Sequence, residues 1–158
     1  MISSFSDMPV LYSFRRCPFA MRARLAVYYS KNECVIREIL LSNKPTELVE
    51  ISPKATVPVM LLSNGLVIEE SLEIMEWCFK KNDPYNFMPI YTQHKSDIKK
   101  IINLIDGPFK YYLDRYKYSS RYVNEDKIKN RNKACDVLFE IENKINDSHF
   151  IFNNKSSY

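Results

Sequence analysis

The sequence predicts an α/β unit followed by an all-helical unit. Three observations carry this expectation. Up to residue 82, short apolar runs of strand length alternate with stretches of helical period. Asn82-Asp83-Pro84 then interrupts the chain, and from Tyr91 onward the apolar residues keep a helical spacing without a strand signal. At 158 residues the chain is long enough for one large or two small globular units, and 46% hydrophobic residues exclude a disordered chain. Lysine and arginine are spread along the whole sequence, so the net charge of +4 reads as a solvated surface and not as a nucleic-acid partner.

Val10, Leu11, Tyr12 and Phe14 read as a short buried strand, followed by a turn carrying Arg15 and Arg16. Cys17-Pro18 opens a helix to about Ser30, because a proline at the first helical position gives up an N–H that has no partner there. That helix is apolar on more than one side (Phe19, Met21, Ala23, Leu25, Ala26, Val27, Tyr28), which predicts cover on two sides. Residues 34 to 41 read as a second strand, parallel to the first, and Pro45 to Glu50 as a short helix. Val57 to Leu62 is a third strand, and Ser63-Asn64-Gly65 turns it into Leu66-Val67-Ile68, a hairpin. Pro58 is expected at the strand's first position; a trans bond has the better generic prior, and a cis bond is the alternative. Glu70 to about Lys81 is a helix with Leu72, Met75 and Phe79 on one stripe and Ile74 and Cys78 beside it.

In the second unit, one long helix is expected from about Tyr91 to Tyr118, with Ile98, Ile101, Ile102, Ile105, Phe109, Tyr112, Leu113 and Tyr116 as its apolar face. Gly107-Pro108 inside it predicts a kink. Another helix, about Asn124 to Asn146, is expected to bury Ala134, Leu138, Ile141 and Ile145.

Cys17 is the candidate reactive residue. At a helix start it faces free backbone N–H groups and the positive dipole end, and Arg15, Arg16 and Arg22 lie near it in sequence, surroundings that favour thiolate over thiol. The opposing reading is a small buried residue at a strand end. Ala20 stands where a second cysteine would complete Cys-x-x-Cys, so the site is monothiol and disulfide exchange needs an outside thiol. Cys34, Cys78 and Cys135 fall among apolar neighbours and are expected in the core, and no metal site is expected from the spacing of cysteines and histidines. Four unpaired cysteines fit a reducing compartment, and the absence of a long apolar run or a basic flank before one predicts a cytoplasmic chain with no membrane segment. Residues 1 to 7 read as a polar leader, with Met8 before Pro9 an alternative start. Glu70 and Ser71 offer a helix N-terminus able to hold a carboxylate, although most such serines merely cap.

Cys17-Pro18-Phe19, Val57-Pro58 and Glu70-Ser71, in this order of strands and helices, resemble a glutathione S-transferase of the cysteine type, omega-like or bacterial. Tyr12 to Phe19 and Asp114-Arg115-Tyr116-Lys117-Tyr118 look more like one bacterial subgroup. The resemblance implies a thioredoxin-like glutathione-binding domain over residues 9–82, with a mixed four-stranded sheet, and a partial helical C-terminal domain over 91–158. Phe150-Ile151-Phe152 to Ser157-Tyr158 stops where the family's next helix begins, with Ser157 as its N-cap, so the chain reads as a C-terminally truncated member. It also implies Cys17 against the glutathione sulfur, a cis Pro58 that lets Val57 present its backbone to the cysteinyl part, Glu70 and Ser71 at the γ-glutamyl end, and Lys44 near a carboxylate of the tripeptide. An exposed lysine before a short helix is as good a reading of Lys44, and a core role is the better one for Tyr12.

The activity these features imply is a glutathione-dependent thiol transferase or reductase. It works through a mixed disulfide on Cys17, with glutathione as co-substrate and a small disulfide or electrophile as partner. The alternatives are a glutathione-conjugating transferase, with Tyr111, Tyr112, Tyr116 and Tyr118 as candidate lining, and a non-catalytic transferase-fold binding protein or remnant. A homodimer through the Glu70 and Tyr91 helices is compatible with the pattern.

Overall fold

A computed structural model of the chain describes residues 7–145 and 150–152. The expected roles of Ser157 and of the leader before residue 7 lie outside the described residues. The chain divides into two compact units, Met1–Met88 and Pro89–Tyr158.

The first unit is a four-stranded mixed sheet with helices, the thioredoxin-like arrangement. β1 (Val10–Ser13) lies inside the sheet between β2 (Val35–Glu38) and β3 (Val59–Leu61), with β4 (Val67–Ile68) beyond β3. β2 runs parallel to β1, Val10 opposite Val35; β3 is antiparallel to β1, Tyr12 opposite Val59; β4 is antiparallel to β3, Met60 opposite Ile68. Alternation along the strands sends Val10, Tyr12 and Val59 to one face, where they pack with Ile39 and with Leu48 of α2 (Thr46–Ile51). Leu11 and Met60, both fully buried, point to the other face. α1 (Pro18–Ser30) and α3 (Ser71–Lys81) pack against each other.

α1 is covered on one arc and not on two sides. Ala20, Ala23, Ala26, Val27 and Ser30 are buried, small residues that permit a close approach of α3. Met21, Leu25 and Tyr28 fall one helical face away and are 42%, 56% and 65% exposed. α1 ends at Lys31, whose φ of 56° is the left-handed conformation of a helix C-cap. The core expectation holds for Cys78, while Cys34 and Cys135 are half-buried.

α4 (Phe87–Leu104) starts four residues earlier than the apolar pattern indicates. Asp83 supplies the reason: its two carboxylate oxygens accept the backbone N–H groups of Phe87 (2.9 Å) and Met88 (2.8 Å). Pro89 then sits in the first turn, where a missing N–H costs nothing. At Gly107-Pro108 the backbone widens into a π-helical stretch, Ile105–Phe109, before α5 (Lys110–Lys117). The proline has no N–H to offer the Leu104 carbonyl, and the wider turn absorbs the omission. A second irregularity, at His94 (φ −110°, ψ 19°), has no counterpart in the sequence pattern.

α6 (Lys127–Ile145) starts behind Asp126, whose Oδ1 accepts the N–H groups of Ile128 (2.8 Å) and Lys129 (2.9 Å). Its inward stripe is Asn130, Ala134, Val137, Ile141 and Ile145, of which Asn130 and Ala134 are buried and the others half-buried. Leu138, expected in the core, is 46% exposed: it follows Ala134 by one turn, at the margin of that stripe.

Asp83→Ala, which removes both caps of α4, is expected to lower stability by about 1–2 kcal/mol. Urea denaturation checks this, and an unchanged midpoint would show that the cap contributes nothing.

Candidate functional site

The turn from β1 into α1 places Cys17. Its N–H donates to the Phe14 carbonyl (3.0 Å), closing the turn, and its own carbonyl accepts the Met21 N–H (2.9 Å), the first helical bond. Cys17 occupies the N-cap position with extended backbone, makes no side-chain cap, and leaves its half-buried sulfur beside the open helix end. The Sγ donates to the Val57 carbonyl across 3.5 Å. Val57 and Pro58 are joined by a cis peptide bond immediately before β3.

The arginines around this turn take different partners. Arg24 reaches back from α1 to Ser13 Oγ (2.6 Å), the Phe14 carbonyl (3.4 Å) and the Arg15 carbonyl (3.1 Å), while the Arg15 N–H donates to Glu38 Oε1 (2.6 Å). Arg16 lies over the Phe14 ring and Arg22 over the Phe19 ring, with Arg22 Nη1 also 3.4 Å from Ser71 Oγ. Of the three arginines expected near the sulfur, Arg22 is tied to α3, and the turn itself is braced by Arg24. Arg24 escaped the sequence reading; the signal was a second arginine, two residues after Arg22, on an otherwise apolar helix.

A second network joins the loop before β3 to the start of α3. Ser52, fully buried, donates to Glu69 Oε1 (2.6 Å). Lys54 Nζ lies 3.2 Å from Glu70 Oε1 and 3.8 Å from Glu69 Oε2. The hydrogen bond to Glu70, with the nearby charges of Glu69 and Glu70, holds the Lys54 ammonium above its ordinary range. Ala55 follows with φ 46°, a left-handed conformation that turns the chain toward Val57. Glu70 is the N-cap of α3 but makes no side-chain cap, and Ser71 begins the helix almost fully buried.

Cys17 is therefore in direct contact with Val57, which the cis bond joins to Pro58. Ser71 is tied to α1 through Arg22, and Glu70 to the 52–55 loop through Lys54. Lys44 is exposed and makes no hydrogen bond or ion pair with any of them among the described residues. Tyr12 is a core residue, with its hydroxyl held above its usual range chiefly by burial. Burial pushes the Cys78 thiol up to about 11 and raises that of Cys34. In the helical unit, Tyr111 and Tyr118 are exposed and Tyr112 and Tyr116 half-buried, and Arg115 stacks 3.3 Å over Tyr111. A cleft of about 330 Å³ opens in that unit between Ile101, Leu104 and Phe152 and the charged side chains of Asp97, Lys100, Glu140 and Lys144, and none of these four tyrosines lines it. Among the described residues, no three His, Cys, Asp or Glu side chains group as a metal site, and no helix is long and apolar enough to cross a membrane.

Residues 11–92 match the family described as glutathione S-transferase, N-terminal domain. A glutathione S-transferase from Methylobacillus flagellatus KT with GSH bound superposes with a TM-score of 0.80 at 17% identity, covering 94% of this chain and 76% of its own. A delta-class glutathione transferase from Nilaparvata lugens gives 0.80 at 16%, covering 94% and 72%. Glutathione transferase Omega 3C from Trametes versicolor gives 0.79 at 16%, covering 98% and 65%. At these identities the superpositions establish a shared fold.

Replacing the bracing arginine, Arg24→Met, is expected to cost about 2 kcal/mol, since it leaves part-buried oxygens without a charged donor. Arg15→Met, which removes an exposed side chain and keeps the backbone bond, should stay within about 0.5 kcal/mol of the parent. Equal losses in chemical denaturation would remove Arg24 from its bracing role.

Proposed function

Because the chain belongs to the glutathione S-transferase family, the matched residues 11–92 spanning more than half of it, we propose that it is a glutathione-dependent thiol transferase working through Cys17. The observation that carries the reading is the contact of the Cys17 sulfur with the Val57 carbonyl beside a cis proline. It sets a lone thiol at a helix N-terminus next to a backbone edge that an extended peptide can pair with.

Glutathione would lie along that edge, its cysteinyl backbone on Val57 and its sulfur toward Cys17. Its γ-glutamyl end carries an ammonium and a carboxylate. The Glu70 carboxylate suits the first; Ser71 Oγ and the open N–H groups of α3 suit the second. Lys44 is close enough in sequence to α2 to serve the remaining carboxylate only if its loop, 42–45, turns toward the peptide. The glutathione-binding domain is then residues 9–82.

The exchange balances with no further reagent. The Cys17 thiolate attacks the glutathionyl sulfur of a mixed disulfide; the Cys17–glutathione bond forms, the substrate S–S bond breaks, and the substrate thiolate leaves and takes up a proton. A second glutathione thiolate attacks the adduct, releasing oxidised glutathione and restoring Cys17. Ala20 at the position of a resolving cysteine leaves the second step to free glutathione. The free thiols of Cys17, Cys34, Cys78 and Cys135 fit a reducing, cytoplasmic setting.

Incubation with oxidised glutathione near pH 7 is expected to add one glutathione to the chain, and none to Cys17→Ser; Cys78, buried with its thiol pushed up to about 11, stays unmodified. Turnover of a small glutathione mixed disulfide should fall at least ~100-fold in Cys17→Ser. An adduct that survives the substitution sinks this mechanism. Retention of glutathione without turnover points instead to a binding protein of the same fold.

A further inference from the structure

We infer that the Lys54 ammonium is an internal competitor for the ammonium of the γ-glutamyl group, held on Glu70 until glutathione displaces it. The inference rests on the reading of Glu70 as the γ-glutamyl site given above.

Lys54 Nζ lies 3.2 Å from Glu70 Oε1, and Glu70 is the carboxylate at the head of α3 that this reading assigns to a substrate ammonium. The two cations are chemically alike, each an –NH₃⁺ with three donors and no acceptor. The second carboxylate, Glu69, is 3.8 Å from the same Nζ and takes a 2.6 Å hydrogen bond from the buried Ser52 hydroxyl. Ser52 thus holds Glu69 in place, and Lys54 can shift its weight from Glu70 to Glu69 without leaving the loop. Two carboxylates sharing one lysine keep one negative charge uncompensated, which is what an incoming ammonium requires.

The side chains of Lys54 and Glu70 are 58% and 66% exposed, so their pairing is the weak, solvent-screened kind that a ligand exchanges readily. Lys54 would therefore lower the affinity for ligands bearing the α-ammonium by a modest factor and leave ligands without it unaffected. It has no part in the sulfur chemistry.

Calorimetric titration in a Cys17→Ser background separates this from catalysis. At low salt, Lys54→Met is expected to bind S-methylglutathione about two- to fivefold more tightly than Lys54. The gain should vanish near 0.5 M salt and be absent for the analogue in which a glutaryl group replaces γ-glutamyl and removes the ammonium. Unchanged or weaker binding by Lys54→Met overturns the competition while leaving the glutathione site standing. An equal gain for both ligands also overturns it, since a general charge or steric effect would then be at work. If neither protein binds S-methylglutathione, the γ-glutamyl assignment of Glu70 falls together with this inference. The thermal transition of Lys54→Met should match the parent, which keeps a folding defect from passing as a result.

Discussion

The antiparallel register of β1 with β3 is the constraint from which the site follows. Tyr12 is paired with Val59 and Val10 with Leu61, so the chain leaving β1 toward Cys17 runs off the same end of the sheet at which it enters β3 from Val57 and Pro58. β4 is antiparallel to β3, with Met60 opposite Ile68, and so releases Glu69, Glu70 and Ser71 at that end as well. β2 is parallel to β1 and finishes there too, where Glu38 accepts the Arg15 N–H. Pairing alone therefore brings together a thiol, a peptide edge, two carboxylates and a helix N-terminus from three separate parts of the chain.

That register is held by apolar burial. All four residues of β1 are buried, Val10 and Tyr12 against Leu48, Ile39 and Val59 on one face, Leu11 with Met60 on the other. A slip of one residue would exchange the faces, sending Tyr12 into the space that fits Leu11. The turn that follows is short and could otherwise bend several ways; the three acceptors of Arg24 select one. Order is thus imposed in two stages, strand position by packing and then sulfur position by a charge-assisted brace.

Much of this was legible because the decisive residues are punctuation. Cys17-Pro18, Val57-Pro58 and Asn64-Gly65 each restrict the backbone locally, so strand ends and helix starts could be read without knowing what they pack against. What could not be read depended on partners distant in sequence or on helical phase. Arg24 and Lys54 look like surface charges until Ser13 and Glu70 are known to lie beside them. The start of α4 was hidden because its cap, Asp83, stands four residues ahead of Phe87 in a segment that reads as a break. Leu138 and Met21 are exposed for the opposite reason: apolar identity alone does not imply burial, and the buried positions of α1 and α6 include the small residues Ala20, Ala23, Ala26 and Ala134. The π-helical turn at Ile105–Phe109 was not legible because a proline can be accommodated by widening the helix as well as by bending it.

The strengths of these contacts divide along the same line as their roles. Contacts that fix position are buried or part-buried: the β1 core, the Ser52 to Glu69 bond, the Arg24 brace. Those at the edge where a ligand would lie are exposed and weak, as at Lys54 and Glu70, or long, as at Cys17 and Val57. A strong pair at that edge would have to be broken before a peptide could bind, at a cost subtracted from its affinity. A weak one is exchanged nearly evenly, because the groups it frees are at once rehydrated or taken up by neighbours such as Glu69. Under the proposed binding mode, the buried contacts around Leu11 hold the edge in place, while the exposure of Lys54 and Glu70 leaves it open to exchange.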